Sequence, residues 1–235
     1  MKNSLSVQRK HYNNKTAVGF DKNRMNRNHI YKIETIEYFY RKFLKKKNNI
    51  RILEVEGGTG LHAEHFLRKE YLNIEQFILL DLSKDMLKVA KKRLKKYKKK
   101  VVFLQSPAEV FRLLQPVDCI YISGAMHHFE DPLKAIQNCY DNLTENGVLT
   151  ICEPVITNPY AWPRVIFMPE EYGQFTVTPH NIVKWLEDNQ YEVLEKKWMH
   201  YKSNSKFFRF ILKLEGIAFM NWSAVMFAVA AKKRS

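Results

Sequence analysis

The run Ile52-Leu-Glu-Val-Glu-Gly-Gly-Thr-Gly60 puts an acid and a cluster of glycines at the end of an apolar segment. About twenty residues on, a second apolar run, Phe77-Ile-Leu-Leu-Asp81, also ends on a carboxylate. Apolar runs that stop this abruptly are buried parallel strands, and glycines at the stop let a turn lie directly against a ligand. In an open α/β sheet the ligand crevice lies at the carboxyl ends of the strands, which brings Gly58, Gly60 and Asp81 together. A carboxylate placed there accepts both hydroxyls of a ribose, so the pattern describes a pocket for a nucleoside cofactor.

Two classes of cofactor fit that pocket. Gly58-Thr-Gly60-Leu-His-Ala63 satisfies the dinucleotide fingerprint with alanine in third place, and Asp81 lies at the matching interval. Glu54 separates the two. An ionisable group at the end of an apolar strand is costly to bury without a partner, and a dinucleotide site has no evident use for it. A nicotinamide-dependent oxidoreductase is therefore disfavoured.

Further segments follow in order: Asp81-Leu-Ser-Lys-Asp-Met86, Ser106-Pro-Ala-Glu109, Asp118-Cys-Ile-Tyr-Ile-Ser-Gly-Ala-Met-His-His-Phe-Glu-Asp-Pro132, and Leu143-Thr-Glu-Asn-Gly147 ahead of Val148-Leu-Thr-Ile-Cys-Glu-Pro154. With Glu54 and the glycine turn, they make the chain resemble the class I S-adenosylmethionine-dependent methyltransferases from Arg51 to Pro154. The resemblance implies S-adenosyl-L-methionine as cofactor. It places Glu54, Glu56, Gly58, Gly60, Asp81, Leu82, Met86, Pro107, Ala108 and Ser123 around that cofactor, with Tyr12 reaching over from an N-terminal arm. Two positions depart from the family. Glu56 stands where its first motif usually has glycine, adding bulk and charge near the methionine end. Pro107 stands where an aspartate commonly receives the adenine amino group, leaving the Ala108 amide to reach the ring.

Alternating strands and helices imply a doubly wound, mostly parallel sheet of seven strands with an antiparallel pair at its C-terminal edge. Strands are expected at Arg51–Val55, Phe77–Leu80, Val101–Leu104, Cys119–Ile122, Val148–Cys152, Tyr191–Glu195 and Ala224–Ala230. Ser83 is the expected N-cap of the helix containing Met86, Asp131-Pro132 and Thr178-Pro179 open two further helices, and Asn146-Gly147 marks a turn. One domain spans 1–235. Residues 1–50 form an arm anchored by Tyr12 and Phe20 and a lid helix over Ile30–Leu44, residues 51–154 form the cofactor core, and residues 155–235 form an acceptor-site excursion and the last strands. The proline- and aromatic-rich excursion, with Asn158-Pro-Tyr160, is similar to segments of bacterial methyltransferases of the broad type 11/12 group, many associated with surface glycans or glycolipids.

At 235 residues and 46% hydrophobic content the chain can bury a core without disulfides. Cys119, Cys139 and Cys152, odd in number and widely spaced, suggest neither a disulfide framework nor a metal site. No signal segment or spanning helix is evident, which points to the cytoplasm. The formal charge of +15 draws on basic runs such as Lys45–Lys47, Lys91–Lys100 and Lys232–Arg234. Such runs are read as solvated helix faces or as surfaces for peripheral contact with an anionic membrane; nucleic acid is a less favoured partner. Phe207–Trp222 is read as a core helix or as an amphipathic segment touching lipid or a hydrophobic acceptor.

Methyl transfer from a sulfonium needs alignment and, for some acceptors, removal of a proton. His127 and His128 follow the fourth strand, with His127 the candidate base and His128 a candidate loop-capping group. His62 and His65 lack zincin spacing and are expected on a surface helix. The function implied is methyl transfer to oxygen or nitrogen of a small-molecule or lipid-linked acceptor. Its alternatives are an RNA methyltransferase, or a catalytically silent scaffold or regulatory protein in which Glu56 and Pro107 have disabled the site.

Overall fold

The computed structural model describes residues 27–44, 49–69, 72–156, 162–200 and 224–234. Period-two patterning sorts the strand side chains onto two faces of one sheet. Strand β1 (Ile50–Val55) sends Leu53 and Val55 one way and Ile52 the other, β2 (Ile74–Asp81) divides Ile78 and Leu80 from Phe77 and Leu79, and β4 (Val117–Ser123) divides Ile120 and Ile122 from Cys119 and Tyr121. All of these are buried, as parallel strands covered on both faces require.

The remaining strands are β3 (Val101–Gln105), β5 (Leu143–Pro154), β6 (Tyr191–His200) and β7 (Ala224–Lys233). Their order is β3-β2-β1-β4-β5-β7-β6, with β1 to β5 parallel and β7 antiparallel to both of its neighbours. The antiparallel pair thus forms the edge as expected, with β7 one place in from it. The chain order reverses between β1 and β4, the switch point at which such sheets bind ligands.

Helices α1 (Arg27–Phe43), α2 (Leu61–Leu67) and α3 (Lys84–Arg93) cover the Phe77 and Tyr121 face; α4 (Pro132–Asp141) and α6 (Pro179–Asp188) cover the other. The short α5 (Trp162–Phe167) leads into a 3₁₀ turn over Pro169–Phe175. Ser83, Asp131 and Thr178 each accept an amide from the first turn of their helix, as expected of N-caps.

Helix α1 packs on the core, with Ile33, Ile36, Phe39 and Tyr40 buried against the sheet. Two details differ from the sequence expectation. Asn146-Gly147 lies inside β5, where Val117 pairs with Leu143 but Cys119 pairs with Val148, so the surplus residues are taken up as an irregularity in the ladder rather than a turn. His62 is buried on α2, whose sheet-facing side also carries Ala63 and Phe66. The N-terminal arm with Tyr12 and Phe20, the lysines 45–47, Asn158-Pro-Tyr160 and the segment Phe207–Trp222 lie outside the described residues. Cys119, Cys139 and Cys152 are buried as reduced thiols.

The turn after β1 is closed by Gly57 N–H donating to the Leu80 carbonyl at 2.9 Å and Gly60 N–H donating to the Gly57 carbonyl at 3.0 Å. A Cβ on Gly57 would lie 2.7 Å from Leu79 Cγ and 3.0 Å from Glu54 Cδ. Gly57→Ala therefore overpacks the turn and is expected to lower unfolding free energy by about 1–3 kcal/mol, read by chemical denaturation. An unchanged midpoint would show that the turn yields freely.

Candidate active site

Three residues of the β1–α2 turn have positive φ: Glu56 at 55°, Gly58 at 55° and Gly60 at 75°. Glycine takes this conformation at no steric cost; for Glu56 it costs about 1–2 kcal/mol. The turn so shaped presents the Gly58 amide to Asp81 at the end of β2, and Asp81 Oδ2 accepts that N–H at 2.7 Å while Oδ1 accepts the Ser83 N–H at 2.7 Å. One carboxylate thus ties together the loops after β1 and β2 and keeps acceptor capacity for a ligand. Burial pushes Asp81 up to about 6, the two amides pull it back, and Glu54 adds to the rise.

Glu56, partly buried beside Asp81, is raised well above the usual carboxylate range by burial and by the charges of Asp81 and Glu109. Glu109 accepts the Glu130 N–H at 3.1 Å and so holds the loop leading to α4. Leu82, Met86 and Ala108 are buried around the same crevice, Pro107 is partly buried, and the Ser106 hydroxyl donates to the Pro107 carbonyl at 3.1 Å. Ser123, at the end of β4, has a buried Oγ with no hydrogen-bond partner among the described residues. Carboxylates at the strand ends and this orphan hydroxyl suit a polar, positively charged ligand.

Glu54 plays a different part from the others. Its carboxyl is buried beneath the turn, 3.2 Å from His62 Nδ1, and burial pushes it up to about 8 against the pull of the Tyr121 hydroxyl and the Ala63 amide. It props the turn from below through Gly57. That contact explains the burial of His62, which the sequence placed on a surface helix. Arg93 adds a further brace, donating to the Thr59 carbonyl at 2.9 Å and pairing with Glu64 at 3.1 Å.

A second polar cluster sits beyond β4 and β5. Glu153 Oε1 accepts the Ala125 and Met126 amides, each at 2.9 Å, and Oε2 lies 2.5 Å from His127 Nδ1. On the other side of the ring, His127 Nε2 lies 3.2 Å from Glu171 Oε2, which also accepts Gln174 Nε2 at 2.5 Å. The His127 and His128 rings lie with centroids 4.0 Å apart, tilted by 46°, and His128 Nδ1 is 2.9 Å from the Glu170 carbonyl. Burial disfavours charge on His127, but Glu153 and Glu171 outweigh it and raise the imidazole to about 9. His128 falls to about 3 through burial and the neighbouring His127 cation.

Glu153 and Glu171 favour the charged form of His127, which takes a proton from an acceptor only after giving one up. The sequence reading missed Glu153, Glu171, Gln174 and Gly173. Glu153 was legible, because it ends an apolar strand just as Glu54 does. Glu171 carried no signal, since the excursion alone brings it to His127. A Cβ on Gly173 would lie 1.7 Å from the His127 carbonyl oxygen, which shows how closely the excursion presses on the histidine loop.

Residues 53–149 match a family described as a methyltransferase domain. No curated protein matches the chain by sequence. Among solved structures, phosphoethanolamine N-methyltransferase 2 of Haemonchus contortus, in complex with S-adenosyl-L-methionine, is similar with a TM-score of 0.70 at 16% identity, over 100% of this chain and 60% of that one. The N-methyltransferase NodS of Bradyrhizobium japonicum WM9, in complex with S-adenosyl-L-homocysteine, is similar with a TM-score of 0.66 at 12% identity, over all of both chains. The cyclase SpnF shares the fold with a TM-score of 0.64 at 16% identity, over 86% of this chain and 80% of that one. The sheet described above is thus the Rossmann-like methyltransferase fold, which also hosts other chemistry.

Glu56→Gly removes a left-handed glutamate and should raise unfolding free energy by about 0.5–1 kcal/mol, net of the added chain entropy, in denaturant titration. The His127 network predicts a pH signature. Its folded pKa of about 9 exceeds the ordinary 6.5, so its contribution is complete below 6.5 and is lost as pH rises through 9. The wild-type unfolding midpoint should fall between pH 7 and 9.5, and His127→Gln should flatten that fall; equal slopes would remove the ion network from the stability of the fold.

Proposed function

We propose that this methyltransferase domain, a dedicated S-adenosyl-L-methionine site, moves the cofactor's methyl group to oxygen or nitrogen of a small-molecule or lipid-linked acceptor. The observation that supports it most is the crevice at the ends of β1 and β2, where Asp81 joins the Gly58 and Ser83 amides with Glu56 alongside. In a chain of net charge +15, this acidic crevice suits a cationic nucleoside. Asp81 takes the ribose hydroxyls, and Leu82, Met86, Pro107 and Ala108 flank the adenine. Glu56 meets the α-ammonium group, and the Ser123 hydroxyl gains the partner it lacks.

Bound there, the cofactor supplies an activated methyl group on a sulfonium, which needs no further activation from the protein. The chain's tasks are alignment, exclusion of water and, for a protonated acceptor, a place for the proton. Alignment falls to the loop after β4, which Glu153 fixes through two amides, and to the excursion packed on it. An acceptor with an apolar portion is favoured by the outer surface of that excursion, where Trp162, Ile166, Phe167 and Phe175 are exposed. Among the described residues, no helix is long and apolar enough to cross a membrane, so contact with a lipid-linked acceptor would be peripheral.

Calorimetric titration with S-adenosyl-L-methionine and S-adenosyl-L-homocysteine, with NADH as control, tests the site. Micromolar binding of the sulfur nucleosides alone is expected. Asp81→Ala and Gly58→Arg should abolish it, the first by removing the ribose acceptor and the second by filling the backbone's approach; unchanged affinity in both sinks the proposal. Because Asp81 titrates near 6 in the free protein, protonation competes with the ligand. Affinity should fall below pH 6, and binding at that pH should release protons, read from heats in buffers of differing ionisation enthalpy.

A further inference from the structure

The geometry points to a divalent transition-metal site formed by His127, His128 and Glu171. Their donor atoms all lie within 4.8 Å of one another, and all three residues are buried. The separation of 3.2 Å between His127 Nε2 and Glu171 Oε2 is one such edge. Two donors each about 2.1 Å from a common ion stand about 3–3.5 Å apart at octahedral to tetrahedral angles.

The surroundings supply what an imidazole ligand needs on its far side. His127 Nδ1 faces Glu153 Oε2, and His128 Nδ1 faces the Glu170 carbonyl. A carbonyl only accepts, so His128 carries its proton on Nδ1 and its lone pair on Nε2. Metal-binding histidines are oriented in the same way, with the other ring N–H donated to a carboxylate or a backbone carbonyl. Glu153 is itself pinned by the Ala125 and Met126 amides, and Glu171 is held by Gln174. Gln174, 3% exposed, also keeps a buried Oε1 with no hydrogen-bond partner among the described residues. The contact of Gly173 with the His127 carbonyl fixes the distance between the two elements that carry the donors.

Two imidazoles and one carboxylate select zinc or a neighbouring first-row ion over magnesium or calcium, which prefer oxygen. Binding releases the Nε2 proton of His127 to solvent, because the ion takes that lone pair, and the ion's charge replaces that of the imidazolium in offsetting the carboxylates that the fold buries at Glu153 and Glu171. Three protein donors leave coordination positions for water or for an oxygen or nitrogen of a further molecule. Its donors are not those of the Asp81 crevice, so the site does not depend on what that crevice binds.

The test uses the full chain without a histidine tag, stripped with a chelator, dialysed against Zn2+ and then against buffer, with metal counted by mass spectrometry. About one equivalent of zinc should remain, as for a site with three protein donors. In His128→Ala and in Glu171→Gln, retention should fall roughly tenfold or more, with S-adenosyl-L-homocysteine titration as the control for an intact fold. X-ray absorption on the zinc-loaded wild type gives an answer independent of whether the variants fold. Imidazole scattering with ligands at about 2.0–2.1 Å supports the site. No zinc above the chelated blank, full retention in both variants, or a spectrum without imidazole overturns it, leaving His127 as a protonated bridge between two carboxylates.

Discussion

Acids that end buried strands organise both halves of this molecule. Asp81 finishes β2 and takes amides from the loops after β1 and β2; Glu153 lies at the end of β5 and takes two amides from the loop after β4. Each carboxylate is almost fully buried, so losing its amides would strand a charge in a low-dielectric interior. That penalty, several kcal/mol for a buried ion without compensation, locks the loops on which any ligand contact depends. Charge-assisted bonds of this kind position a backbone more strictly than apolar packing, because they specify direction as well as distance.

The two acids serve opposite electrostatic ends. Around Asp81, carboxyl groups disfavour one another's ionisation: Asp81 and Glu109 raise Glu56 beside the crevice, and Glu54, buried beneath the turn, raises Asp81. Around Glu153, the charge is balanced by His127, which lowers Glu153 below the usual carboxylate range despite its burial. The first cluster draws acids together around a crevice; in the second, the charge of His127 holds a place that a divalent ion can take over. The strain of the left-handed Glu56 belongs to the first and fits a ligand crevice better than a structural turn.

The core was legible because parallel strands have to be apolar on both faces, so Phe77–Leu80 and Cys119–Ile122 stand out as short apolar runs ended by polar residues. The caps at Ser83, Asp131 and Thr178 were legible for the same local reason. What escaped was set by distance along the chain. Glu171 meets His127 only because the excursion folds back, and neither residue's neighbours record it. His62 looked like one histidine on a polar helix, and its burial depends on Glu54 rising from the strand below. Asn146-Gly147 carries turn chemistry, yet the pull of the β4 ladder on both sides keeps it within a strand. The apolar density of Ile30–Leu44 made α1 legible as a helix, and its packing on the sheet follows from the same residues.

The position of β7 bears on how the molecule is made. This strand lies between β5 and β6, yet it is the last of the three to leave the ribosome. Until it arrives, β5 has no partner on that side and β6 has no seat in the sheet at all. The nascent chain therefore carries an open, apolar strand edge through the synthesis of nearly everything after Pro154, the arrangement that invites pairing with another molecule. Completion of the sheet is a single late insertion between two waiting strands, and the interval before it is when this protein depends most on dilution or on chaperones.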